Sequence, residues 1–171
     1  MKFARFAART VIGGLFIGHG TQKLFGWFGG PGLEGAAAGF DSMGLRPGRR
    51  NAIAAGVTET AGGAALALGL AMPLAAAALV GTMITAIRTV HLKNGPWNSN
   101  GGYEYNLVLI VAVLALVEAG PGCLSVDHAR GSKQHGALWA LAALAAGAAG
   151  SAAVTELAKR ETAAHPLPVA A

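Results

Sequence analysis

Between residues 60 and 87 the chain carries no charged side chain, and as a single helix this run would extend about 42 Å at 1.5 Å per residue. One bilayer crossing needs only about 20 apolar residues, so the run predicts two spans rather than one. Pro73 divides it, because proline lacks the amide that a helix interior requires and disfavours helical backbone in the residue before it. Extended outward to the flanking polar residues, the division predicts a tight helical hairpin with arms at 51–71 and 73–92. Composition points the same way: 53% of the residues are hydrophobic and 12% charged, whereas soluble domains average about 25% charged. So small a polar share cannot cover a globule, and the chain is expected to lie in a lipid bilayer.

Three further apolar stretches, 6–27, 103–119 and 136–157, complete a set of five predicted spans. The first ends in His19, Gln22 and Lys23 and lacks the small-residue cleavage pattern of a signal peptide, so it is expected to be retained. Gly120, Pro121 and Gly122 stop the fourth. Residues 29–48 place Leu33, Ala37, Phe40 and Gly44 on one face at helical spacing, which suits either a short interfacial helix or a loop. Residues 93–105, rich in Gly, Asn and aromatics, predict an ordered turn with Trp97, Tyr103 and Tyr105 at headgroup level. The resulting division is a transmembrane bundle over 1–130, a polar linker with an extra transmembrane helix over 131–158, and a flexible tail over 159–171. The net charge of +5 is assigned to groups fringing the spans, so no nucleic-acid partner is expected. Cys123 is the single cysteine, which excludes an intrachain disulfide and a self-contained thiol–disulfide cycle.

Because successive spans alternate in direction, the end of the first, the start of the second, the end of the third and the start of the fourth share one side of the membrane. Sorted this way, His19, Gln22 and Lys23, then Glu59, then Arg88 and His91, then Glu104 and Asn106 fall in one half of the bundle. The opposite half is expected to be nearly uncharged until Glu118. A charge at the bilayer centre costs about 2.5–3.5 kcal/mol even on the mildest scale, so four helices should turn such groups toward one another, not toward lipid. Gly56, Glu59 and Gly63 share a face, and small residues mark the faces that membrane helices turn together. The expected network sets Lys23 and Arg88 against Glu59 and Glu104, with Thr85, Arg88 and His91 at three-residue spacing on one helix.

Plainer readings stand beside this one. Lys23 can snorkel to the interface, His91 and Glu104 can lie at the surface, and Glu59 can make a purely structural ion pair with Arg88 or Lys23. Haem between His19 and His91 lacks a further ligand signature and is disfavoured. Asp127, His128 and His135 lack the spacing of a metal site and are expected in a solvated loop, so no metal is predicted. Gly14 and Gly18 form a G-x-x-x-G pair, which indicates only that close packing is available there.

Three strings carry a resemblance: Gly18-His19-Gly20-Thr21-Gln22-Lys23 continuing to Gly32, Asn94-Gly95-Pro96-Trp97-Asn98 with Gly101-Gly102-Tyr103-Glu104-Tyr105, and Gly120-Pro121-Gly122 with Ser125 and Asp127. In order and spacing they resemble the DoxX family of small bacterial membrane proteins, over about residues 3–130. The resemblance implies an all-α, integral membrane four-helix bundle, to which 136–157 adds a C-terminal transmembrane helix. It further implies kinship with the membrane subunits of a thiosulfate:quinone oxidoreductase. Actinobacterial relatives look like the anchor of a complex with a superoxide dismutase and a sulfurtransferase. His19, Gln22, Lys23, Trp97, Asn98, Tyr103 and Glu104 occupy its recurring motif positions, without settled catalytic roles.

The combined expectation is a multi-pass subunit of a redox system in the bacterial plasma membrane, binding a quinone or small sulfur oxyanion at the polar end. Glu59 or His19 would handle protons; Gln22, Lys23, Arg88, His91, Trp97, Asn98, Tyr103 and Glu104 would contact the ligand. No electron carrier is visible in the chain, so electrons would come from a bound cofactor or a partner protein. The alternatives are a non-catalytic membrane scaffold for partner proteins and, below it, a small solute carrier. Orientation stays open: eight Lys and Arg on the polar-cluster side favour a cytoplasmic cluster, while Lys2, Arg5 and Arg9 favour a cytoplasmic amino end.

Overall fold

The computed structural model describes residues 2–164, and every regular element among them is helical. Helix α1 (Lys2–Phe25) leads through a 3-10 turn at Trp27–Gly29 into α2 (Gly32–Ser42). Helices α3 (Gly48–Leu68) and α4 (Met72–Ala86) form the hairpin, and α4 runs on through a π-helical turn, Ile87–His91. Two 3-10 turns then lead to α5 (Glu104–Ala119), the short α6 (Val126–Ala129) and α7 (Ala137–Ala164). The segment between the first two spans is thus helix, with Ala36 and Ala37 buried where α2 packs on α3.

The hairpin breaks where small residues allow it, four residues ahead of the proline. Gly69 takes φ 64°, a left-handed conformation open to glycine at little cost. The Leu70 amide donates to the Ala65 carbonyl at 2.8 Å and the Gly69 amide to Leu66 at 3.0 Å, the paired bonds that close a helix end of the Schellman type. Pro73 then falls in the first turn of α4, where its missing amide would have had no helical partner.

Helix α1 packs chiefly on α3 and α4 chiefly on α7, while α4 also meets α3 and α5. Glycine makes both main seams. A Cβ on Gly13 would sit 2.5 Å from the Gly63 carbonyl oxygen, and one on Gly20 would sit 2.6 Å from that of Gly56. Gly147 of α7 meets Ala77 and Gly81 of α4 in the same way. The Gly14–Gly18 pair is not the seam, since a Cβ on either residue meets nothing within 4 Å. Gly20→Leu is therefore expected to force α1 and α3 apart and destabilise the protein by about 1–3 kcal/mol, whereas Gly14→Leu should leave the unfolding midpoint within experimental scatter. Equal midpoints for the two variants would overturn the seam assignment.

Large apolar side chains face outward on every long helix, among them Leu15, Val57, Leu74, Val111 and Leu141, a belt suited to lipid. Two helical stretches, Met72–Asn94 and Ala137–Ala164, are long and apolar enough to cross a membrane. The other three expected spans fall short for identifiable reasons. Helix α5 has 16 residues, and α1 and α3 carry the charges and amides discussed below. The expected tail is corrected over 159–164, which continue α7. Ala158 is buried there, and Arg50 of α3 pairs with Glu161 at 3.1 Å, which ties those last turns to the bundle. The remainder of the expected tail, 165–171, lies outside the described residues.

The apolar core is concentrated toward the hairpin-turn end, where Phe16, Leu66, Met72, Leu79, Val113 and Val117 are buried together. Gly62 of α3 abuts Leu79 of α4 in that half. Toward the other end, α3 and α4 border a cavity instead.

Candidate functional site

The cavity has a volume of about 770 Å³, within the range of about 300–1,000 Å³ usual for small-molecule sites. His19 and Lys23 reach it from α1, one helical turn apart, and Thr58 and Glu59 from α3. Thr85 and His91 border it from α4 and the π turn, Asn106 from α5, and Asn98 from the loop before α5. At its polar end Lys23 Nζ donates to Glu59 Oε2 at 2.6 Å, with 4% of the Glu59 side chain and 25% of Lys23 exposed. Lys23 Nζ also lies 3.3 Å from the His19 carbonyl oxygen. Glu59 is placed by the glycine seam: Gly56 and Gly63 bring its face of α3 against α1, so its carboxylate meets the lysine one turn beyond Gly20.

The Asn94–Glu104 loop closes on itself. Tyr103 and Glu104 amides donate to the Gly95 and Pro96 carbonyls at 3.2 and 2.8 Å, and Glu104 Oε2 accepts the Asn98 amide at 3.0 Å. His91 Nδ1 lies 2.7 Å from the Gly101 carbonyl oxygen. A carbonyl can only accept, so this nitrogen carries the proton, and in the neutral ring Nε2 is left as an acceptor. Asn106 is buried and donates to Met83 Sδ at 3.4 Å.

Of the residues singled out in the sequence, His19, Lys23, Glu59, His91 and Asn98 border one cavity. Gln22, Arg88, Trp97, Tyr103 and Glu104 do not. Gln22 supports Gly30, whose Cβ would collide with the Gln22 backbone; Trp97 is 63% exposed; Glu104 holds the loop that carries Asn98. The expected Arg88–Glu59 pairing is corrected. The π turn advances each residue through a smaller angle than an α-helix does, and Arg88 lies with Lys159 on a separate recess beside α7 while Thr85 and His91 remain at the cavity.

The opposite half holds a second polar group that the sequence reading missed. Arg9 is fully buried and donates from Nη2 to the Leu124 carbonyl at 2.6 Å. Asp127 supplies the counter-charge. It is buried, not solvated as expected: Oδ1 and Oδ2 accept the Ala71 and Met72 amides at 2.9 and 3.0 Å. These amides open α4, which would otherwise leave them without partners. His128 and His135 are exposed, as a solvated loop predicts.

Described elements that are all helical, with an outward apolar belt and a polar group enclosed at each end, define a helical membrane protein. The sequence model of the DoxX family matches residues 4–92, just over half of the chain, and the protein belongs to that family of membrane proteins. The match includes His19, Lys23, Glu59 and His91; the strings after Leu92 lie beyond it. No curated protein and no solved structure matches this sequence.

Proposed function

We propose that the protein is an integral membrane subunit of an oxidoreductase system that binds a quinone in this cavity, with the quinone head at Lys23, Glu59 and His91. In this reading α1, α3, α4 and α5 cross the bacterial plasma membrane as a four-helix core and α7 crosses as a fifth span. The observation that carries the proposal is the union, in one cavity, of a charged, hydrogen-bonding end with long walls of Ala, Gly, Leu and Val. Such a shape suits a ligand with a small polar head and an apolar body. A sulfur oxyanion suits it less well, because Lys23 is already neutralised by Glu59 and the apolar walls would have no use.

A bound quinone would supply reversible two-electron, two-proton chemistry. The residues supply the surroundings: Lys23 and Asn106 are donors, His91 Nε2 is an acceptor in the neutral ring, and Glu59 and His19 can exchange protons with the head. Electrons would reach the site from a bound cofactor or a partner protein; by family resemblance, a superoxide dismutase and a sulfurtransferase are candidate partners. Protein purified in mild detergent is expected to retain quinone stoichiometrically, and folded Glu59→Ala and Lys23→Ala variants to retain at least about tenfold less. That is the effect of losing a charge-assisted hydrogen bond of about 1.5–3 kcal/mol. Equal retention in all three proteins would sink the assignment.

A membrane scaffold is the second reading, and one feature favours it. The Lys23–Glu59 pair bridges α1 and α3, the most closely packed helices, so it could act as a clamp alone.

A further inference from the structure

Helices α3 and α7 both pack on α4, yet they scarcely touch each other. The space between them is the long arm of the cavity. Its α3 wall is Ala54, Ala55 and Thr58, its α7 wall is Ala146, Gly150 and Val154, and Leu74 of α4 marks its far end. Ala54, Leu74, Gly150 and Val154 are exposed, so in a bilayer this arm would open sideways onto lipid. Along α4, Leu74 to Thr85 spans about 16 Å at 1.5 Å per residue, and Lys23 and Glu59 border the same cavity.

The two glycines of α7 have different work. Gly147 holds α7 against α4, since a Cβ there would lie 2.8 Å from the Ala77 carbonyl oxygen. Gly150, one turn further, is not needed for packing: a Cβ there meets nothing within 4 Å. Its bare backbone leaves the arm open between α3 and α7. A saturated lipid chain could fill the apolar arm but would leave the charged end without a partner, whereas a molecule with a polar head and a long apolar chain matches both.

We propose that α7, which lies outside the segment matched by the family, completes the site as a wall for the ligand's chain, admitting a membrane-dissolved amphiphile sideways between α3 and α7. This rests on the quinone reading above and adds the route of entry and the element that selects the chain. In lipid nanodiscs, two probes of one quinone head are compared, one without a side chain and one with a long isoprenoid chain. The wild type is expected to bind the chain-bearing probe about tenfold or more tightly than the bare head. Gly150→Trp and, from the facing wall, Ala54→Trp are expected to remove that advantage while leaving the bare head's affinity unchanged.

Equal binding of the two probes by the wild type would overturn the inference and leave the quinone reading standing. So would an undiminished chain advantage in both folded Trp variants, which would place the chain elsewhere. Binding of neither probe by the wild type would overturn the quinone reading and this inference with it. The comparison of probes on the wild type holds whether or not either variant folds.

Discussion

Asp127→Ala is expected to destabilise the protein by about 1–3 kcal/mol for each of the two α4 amides that it leaves without an acceptor. Asp127 performs two tasks. Its carboxylate accepts the first two amides of α4, Ala71 and Met72, and so fixes the sharp turn after Gly69. It also supplies a negative charge near Arg9, whose Nε and Nη1 find no hydrogen-bond acceptor among the described residues while Nη2 donates to the Leu124 carbonyl. Alanine leaves those amides and the guanidinium without a counterpart at once. Asp127→Asn keeps one acceptor oxygen and loses the charge, so its loss should be intermediate. Gly69→Ala should approach the alanine variant, because its Cβ would collide with the Arg9 guanidinium and Ser125 while φ is held at 64°. Chemical unfolding in detergent, followed by helical circular dichroism, gives the ranking; an Asp127→Ala protein within 1 kcal/mol of the parent would disprove this account.

The Arg9–Asp127 group shows where reading the sequence stopped short. In the sequence Arg9 groups with Lys2 and Arg5 as a charge of the amino end, yet it lies several residues inside α1, where an unpaired cation is expensive enough to demand a partner. That cost was the available signal. Asp127 could not be chosen as the partner from sequence, because the loop after α5 returns to the α3–α4 turn through contacts far apart in the chain, such as the Asp127 amide to the Gly69 carbonyl at 2.9 Å. The helices themselves were legible because Gly69, Pro73, Gly120 and Pro121 punctuate them by local chemistry. Arg88 was misplaced because nothing in its residue types announces a π turn.

The cluster of His19, Lys23, Glu59 and His91 was legible for a reason that also explains why α1 and α3 fall short as membrane spans. The groups that line the cavity, together with the glycines that bring these helices together, replace the leucines and valines that would raise apolarity. A helix that gives one face to a polar cavity and another to a tight seam has only one face left for lipid. Helix α7, with no comparable polar face, passes on length and composition.

Lys23→Met alone is expected to cost about 3–5 kcal/mol, because Glu59, with 4% of its side chain exposed, would lose its partner and remain buried. Adding Glu59→Leu should recover most of that loss, since replacing both members of a buried ion pair by apolar side chains is often neutral or stabilising. The double variant therefore separates the two functional readings. If the pair serves a ligand, the double variant folds as well as the parent and retains little or no quinone. If it serves only as a clamp between α1 and α3, the double variant again folds as well as the parent, and bound quinone does not follow the pair. Extracted quinone discriminates between these outcomes, with unfolding midpoints measured on the same preparations. The glycine seam favours the first outcome: Gly13 and Gly20 already bring α1 into backbone contact with Gly63 and Gly56, so the helices have little need of an ion pair to hold them. A carboxylate and an ammonium kept at the end of a cavity, beside a seam that closes without them, are better placed to meet a ligand than to join two helices.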